Sequence, residues 1–191
     1  MGAAHGRRAG VMTASEKILD TGTVAKTTGL LRGEAEDLLY REARALDERR
    51  FADWLAMYAE DAVFWIPAWK DEATPTSDPG SELSLVYYEG RQHLADRVWR
   101  LGSGLSNASE IPARVAHIVG NVIVESASAA EAVILSSFNA HHYDPRSDRT
   151  HVFFGHYRHV FRQDGKNWLI AAKTITLMND CIPTVADLYM L

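Results

Sequence analysis

Eight histidines and a single cysteine, Cys181, are the side chains of this 191-residue chain with the widest chemical range. His141, His142 and Asp144 have the composition of a two-histidine, one-carboxylate iron site. Their spacing works against it. Adjacent side chains of a strand point to opposite faces, so His141 and His142 reach one metal only across a bulge. The other reading makes them surface and interface histidines beside the DPRSD turn. His151, His156 and His159 share a second segment, where strand parity separates His156 from the other two. We expect His156 to face one concave side with His117, and the pair to approach Tyr40 or Asp47. A histidine beside a carboxylate titrates near neutrality, so these four residues could form a general acid/base pocket. A hydrogen-bonded polar cluster at the mouth of a sheet is the alternative reading of the same residues.

Other chemistries find no foothold. One cysteine excludes internal disulfides, CxxC redox pairs, zinc sites built on several cysteines, and an iron–sulfur cluster held by this chain alone. Nothing resembles GxGxxG, a Walker loop, GxSxG or HExxH. Cys181, followed by Ile182 and Pro183, reads as packed and inert. Trp54, Trp65, Trp69, Trp99 and Trp168 are spread over separate segments, as core and interface residues are, and make no stacking platform.

These residues must be positioned by one domain. A mass of 21.2 kDa with 47% hydrophobic and 24% charged residues is globular composition. No apolar run approaches the ~20 residues of a membrane span. The net charge of -5 argues against a nucleic-acid binder. It divides unevenly: Arg7, Arg8, Lys17, Lys26 and Arg32 outweigh Glu16 and Asp20 in residues 1–33, which read as a flexible arm, while the body from 34 to 191 is acidic. Met12 is an alternative start. From Glu34, acidic residues precede Leu39, Ala43 and Leu46 at helical spacing, and Phe51, Leu55 and Tyr58 mark a second short helix. AVFWIPAW is β-prone and stopped by Pro67; SLVYYEG is a strand ending at Gly90; Leu94, Val98 and Leu101 line a third helix. The period then changes to two over 114–125, 131–143, 150–162 and 167–179, joined by SASAA, DPRSD and QDGK. Four long strands with such short links predict an antiparallel meander, and helices followed by strands predict the α+β class.

The polar stretch KDEATPTSDPGSE is long for a connection, and such loops are usually functional or partner-bound. The chain ends on Tyr189, Met190 and Leu191, apolar residues that dock on the chain's own core or on a partner.

Five stretches carry a resemblance: LLYREARALDERRFADWLAMYAEDAVFWIPAW, SDPGSELSLVYYEGRQHLADRVWRL, HIVGNVIVE, FFGHYRHVF and KTITLMNDCIPTVADLYML. From about Glu34 to Leu191 the chain resembles the small (β) subunit of aromatic-ring-hydroxylating dioxygenases. The PAW, the DPGSE followed by SLVYY, and the LMND look most like the benzoate, toluate and anthranilate branch. The resemblance implies a cone-like fold of the nuclear transport factor 2 and scytalone dehydratase type, a curved sheet with helices against its inner face. It also implies an α3β3 hexamer in which the large α subunit carries the Rieske iron–sulfur cluster, the mononuclear iron and the substrate pocket. On that reading this chain holds no cofactor and supplies no catalytic residue, and a reductase or ferredoxin feeds electrons to the assembly in the cytoplasm. The expected subunit interface is the face of the strand meander, the loop with Pro67, Trp69, Asp78 and Glu82, and the tail with Asp180 and Tyr189. The competing expectation is a stand-alone lyase or isomerase that uses the cone as a pocket with Tyr40, Asp47, His117 and His156; a shared fold leaves both open.

Overall fold

The computed structural model describes residues 29–102 and 113–179. Among these residues three helices lead into and interrupt six strands, in the order α1 (Arg32–Asp47), α2 (Phe51–Ala56), β1 (Tyr58–Pro67), β2 (Ser84–Glu89), α3 (Arg91–Gly102), β3 (Arg114–Ala127), β4 (Glu131–Asp144), β5 (Arg149–Asp164) and β6 (Asn167–Leu177). Much of the expected arm, together with Met12, Cys181, Asp180 and Tyr189, lies outside the described residues.

The acidic start of α1 does local work: Glu34 accepts the Leu31 backbone N–H at 2.9 Å and so satisfies a free helix-end donor. Its outer side carries the pairs Arg32–Glu36, Arg41–Asp37 and Arg44–Glu48 at i,i+4 spacing. Its inner side buries Ala35, Leu39, Glu42 and Leu46, a stripe with one carboxylate in it. Arg49, at a φ of 57°, turns the chain out of α1. In α2, Trp54 is the buried residue.

The strands form one sheet in the order β2-β1-β6-β5-β4-β3. The meander β3–β6 is antiparallel throughout, as its short turns require. The join between β1 and β6 is parallel, with Val63 opposite Ala172 and Trp65 opposite Thr174. This pairing was not anticipated, because it links segments over a hundred positions apart. Tyr58, read as the end of the second helical segment, instead opens β1 opposite Ile170 and is fully buried.

Alternation along the strands sets the two faces of the sheet. On β5, Phe153, Gly155, Tyr157, His159 and Phe161 are buried, while Phe154, His156, Arg158 and Arg162 are exposed. On β3, a register shift between Gly120 and Ile123 inserts one residue, with Asn121 at a φ of 53°, and the buried set passes from odd to even positions. The core collects Leu39, Trp54, Phe64, Phe138, Phe153 and Phe161 with their neighbours. Phe138 stacks on Tyr157 with centroids 4.0 Å apart and planes 3° from parallel. Gly155 admits the β6 backbone, since a Cβ there would stand 2.0 Å from the Thr176 carbonyl oxygen. This is an α+β architecture with a helix-covered sheet.

Candidate functional site

Of the four expected acid/base residues, two meet. Asp47, the last residue of α1, lies 2.7 Å from His117 Nδ1 through Oδ1, and both its oxygens sit 3.1 Å from the His117 backbone N–H. The carboxylate only accepts, so Nδ1 carries the proton it shares with Asp47. The His117 side chain is 1% exposed, and its Nε2 has no hydrogen-bond partner among the described residues.

The other two stand elsewhere. His156 is exposed on the opposite face of the sheet, 3.4 Å from Ser137 Oγ, where it lines an open groove of about 430 Å³ with Asn121, Ile123, Leu135 and Thr176. Tyr40 is 47% exposed. The reason is strand parity. His117 lies opposite Ala140, which faces Phe153, all on the helix-covered side; His156 lies opposite Ser137 and Thr176. The histidines that β5 turns inward are His151, half-buried, and His159, fully buried. The four-residue pocket is therefore not formed.

The inward His159 belongs to a cluster that residue types and spacing had not singled out. Glu42 Oε1 accepts Tyr58 O–H at 2.6 Å and Lys173 Nζ at 2.9 Å, and Glu42 Oε2 lies 3.0 Å from His159 Nε2. Glu42 is 3%, His159 0% and Lys173 1% exposed. Lys173 Nζ also sits 4.3 Å from the centroid of the Tyr157 ring. Burial alone would push the Glu42 carboxyl up, but the Lys173 ammonium and the bonds from His159 and Tyr58 outweigh it and hold Glu42 well below the usual carboxylate range. Burial pushes His159 down, against the pull of Glu42, so the imidazole is neutral and donates through Nε2. Burial, with Glu42 beside it, raises Tyr58. A signal existed: Glu42 sits between Leu39 and Leu46 on one helical stripe, and Lys173 interrupts the apolar run LIAAKTITL. Chemically the cluster ties α1 to β1, β5 and β6, as Asp47 ties it to β3.

His141 is exposed and His142 buried, on opposite faces as strand geometry demands. Asp144 is engaged in its turn by the Arg146 backbone N–H and the Ser147 hydroxyl, each at 2.9 Å. Among the described residues no group of three or more histidine, cysteine, aspartate or glutamate side chains is placed to hold a metal. No helix among them is long and apolar enough to cross a membrane.

Of the six residues expected at a subunit interface, the four that are described, Pro67, Trp69, Asp78 and Glu82, lie in or beside the 68–83 loop. Pro67 is buried at the end of β1, and Trp69 Nε1 donates to the Leu177 carbonyl at 2.8 Å. Glu82 accepts the backbone N–H groups of Ser77 and Asp78 at 2.6 and 2.9 Å and pairs with Lys70; the Lys70 bond and those N–H groups hold its carboxyl down at about 2. Asp78 accepts Ser81 O–H at 2.6 Å and the Gly80 N–H at 2.9 Å.

Comparison with known proteins places this arrangement. A family model described as ring hydroxylating beta subunit matches residues 41–184. The chain is 37% identical over 156 residues to the beta subunit of benzoate 1,2-dioxygenase from Acinetobacter baylyi, covering 82% of this chain and 91% of the relative. It is 39% identical over 153 residues to the beta subunit of toluate 1,2-dioxygenase from Pseudomonas putida, covering 80% and 93%. The crystal structure of the benzoate 1,2-dioxygenase beta subunit from Burkholderia mallei superposes with a TM-score of 0.71 at 31% identity, covering 85% of this chain and 98% of that one. A scytalone dehydratase-like protein from Novosphingobium aromaticivorans shares the fold, with a TM-score of 0.59 at 14% identity, covering 80% of this chain and 89% of its own. The cone fold expected from the sequence is thus the observed one, and the chain belongs to the family of ring-hydroxylating dioxygenase beta subunits.

Proposed function

We propose that this chain is the structural small subunit of a terminal oxygenase that dihydroxylates an aromatic carboxylate of the benzoate or toluate type. The observation that carries the reading is the 37–39% identity to benzoate and toluate dioxygenase beta subunits over about four-fifths of the chain. The interior supports it. The two inward carboxylates of α1, Glu42 and Asp47, are both spent on holding the helix to the sheet, and the pocket of Tyr40, Asp47, His117 and His156 does not form. The donor set does not fit a metal either, since His141 and His142 diverge and Asp144 is tied into its turn.

On this reading the Rieske iron–sulfur cluster, the mononuclear iron and the substrate pocket reside in a large subunit. The two chains assemble as an α3β3 hexamer that receives electrons from NAD(P)H through a reductase in the cytoplasm. The small subunit contributes rigidity: binding to the folded large subunit stabilises both by linkage. Co-expression with the cognate large subunit, followed by gel filtration and assay of benzoate consumption with reductase and NADH, tests this. A hexamer that requires both chains is expected. A large subunit that assembles and turns over fully without this chain would sink the reading.

A further inference from the structure

We infer that the 68–83 loop and the exposed edge of β2 form the docking surface for the large subunit, through an apolar row carried on an acid-rich segment. The inference rests on the reading above that the chain pairs with such a subunit. Among the described residues β2 is an edge strand, paired with β1, and its sequence SLVYYE carries neither the lysine nor the proline that usually guards an edge. Leu83, Leu85 and Tyr87 are 80%, 48% and 39% exposed and alternate with the half-buried Ser84, Val86 and Tyr88. Three consecutive outward positions are thus large and apolar, a density that marks an interaction site rather than scattered surface hydrophobics.

The loop that leads into this row is ordered from within. Thr76 Oγ1 accepts the Ala68 N–H at 3.1 Å and donates to the Leu83 carbonyl at 2.8 Å. Lys70 N–H donates to the Thr74 carbonyl at 2.8 Å, while Asp71 receives the Ala73 and Thr74 N–H groups at 2.9 and 2.8 Å. With the bonds of Asp78, Glu82 and Trp69, a long irregular segment presents Leu83 on a fixed frame. A pre-ordered contact loses little freedom when it binds.

Charge identifies the occupant. Residues 68–89 contain Asp71, Glu72, Asp78, Glu82 and Glu89 against one cation, Lys70, and that cation is already paired with Glu82. A second copy docking by two-fold symmetry would set these carboxylates against themselves, and one docking in a ring would meet them with another part of a body that is net acidic from 34 to 191. The surface fits instead an apolar patch with a basic rim on the large subunit.

Copurification of the tagged full-length chain with its cognate large subunit tests the assignment. The variants are Leu83→Asp with Leu85→Asp, Tyr87→Arg alone, Asp71→Lys with Glu72→Lys, and a control, Leu31→Asp, at the N-cap of α1, where Leu31 is 52% exposed. Circular dichroism checks that each is folded. We expect the leucine pair and Tyr87→Arg to lower recovery by about tenfold or more, as central apolar contacts do, with the control unchanged. The lysine pair should weaken recovery and flatten its dependence on salt. Wild-type recovery by the leucine pair, an equal loss in the control, or a loss of self-association alone would overturn the inference. Failure of the unmodified chain to recover the large subunit would instead overturn the proposed function.

Discussion

Glu42 on α1 and Lys173 on β6 meet at 2.9 Å in the interior, each almost completely buried. A charge removed from water is costly unless its partner is present, so the pair specifies how α1 lies on the sheet more than it adds stability. Glu42→Gln keeps an acceptor for Tyr58 but strands the Lys173 ammonium. We expect it to destabilise the fold by about 3–5 kcal/mol. Glu42→Leu combined with Lys173→Met should recover much of that loss. Urea unfolding followed by circular dichroism measures both.

The same cluster contributes to the pH dependence of stability. Glu42 is held below its ordinary 4.5, so its contribution is complete above that pH and is lost as the pH falls towards the folded value. His159 is held below its ordinary 6.5, and the unfolded chain binds that proton more readily than the folded one. Stability should therefore begin to fall below pH 6.5 and fall more steeply below 4.5. Urea midpoints at pH 7, 5.5 and 4 test the trend, and Glu42→Gln should flatten its lower part.

Asp47 holds the end of α1 to β3 through two donors of a single residue, His117. Asp47→Ala leaves a buried imidazole N–H and a backbone N–H without that acceptor. A loss of about 1–3 kcal/mol is expected. Hydrogen exchange at the His117 amide should rise more than at the Ile134 amide on β4, which separates a local release from global unfolding.

Gly155 and Gly165 offer a contrast. Alanine at Gly155 would drive its Cβ into the Thr176 carbonyl, and the β5–β6 pairing must part to admit it. Gly155→Ala is expected to cost more than about 3 kcal/mol. Gly165, at a φ of 60° in an open turn, meets nothing, so Gly165→Ala should cost only about 1 kcal/mol of backbone strain. Thermal midpoints of the two variants compare them directly.

Glu82 organises the loop before β2 by gathering two backbone N–H groups and Lys70. Glu82→Ala should leave the global melting temperature nearly unchanged while increasing proteolysis between 70 and 82. Equal protease resistance in the variant would show that the remaining bonds suffice.

Much of the architecture was legible because it is written in local periods. Leu39 and Leu46 at helical spacing, and the alternation through FFGHYRHVF, located α1 and β5 to within a few residues. The divergence of His141 and His142 followed from the same alternation. Parity also separated His156 from His151 and His159, but it could not say which set faces the helices, and the expectation chose the wrong one. The inward side is decided by which residues β4 and β6 place opposite, and that is a property of the assembled sheet.

The family, the α+β class and the order of elements came from the sequence by itself, since motif, composition and short-range periodicity survive without coordinates. Tertiary structure alone decided the parallel join of β1 to β6, the Glu42, Tyr58, His159 and Lys173 cluster, and the bracing of the 68–83 loop. Each brings together groups far apart in the chain or makes an irregular segment rigid. Burial then fixes which charges can exist there, because a carboxylate in the interior stays ionised only where an ammonium and hydrogen-bond donors have been carried to it.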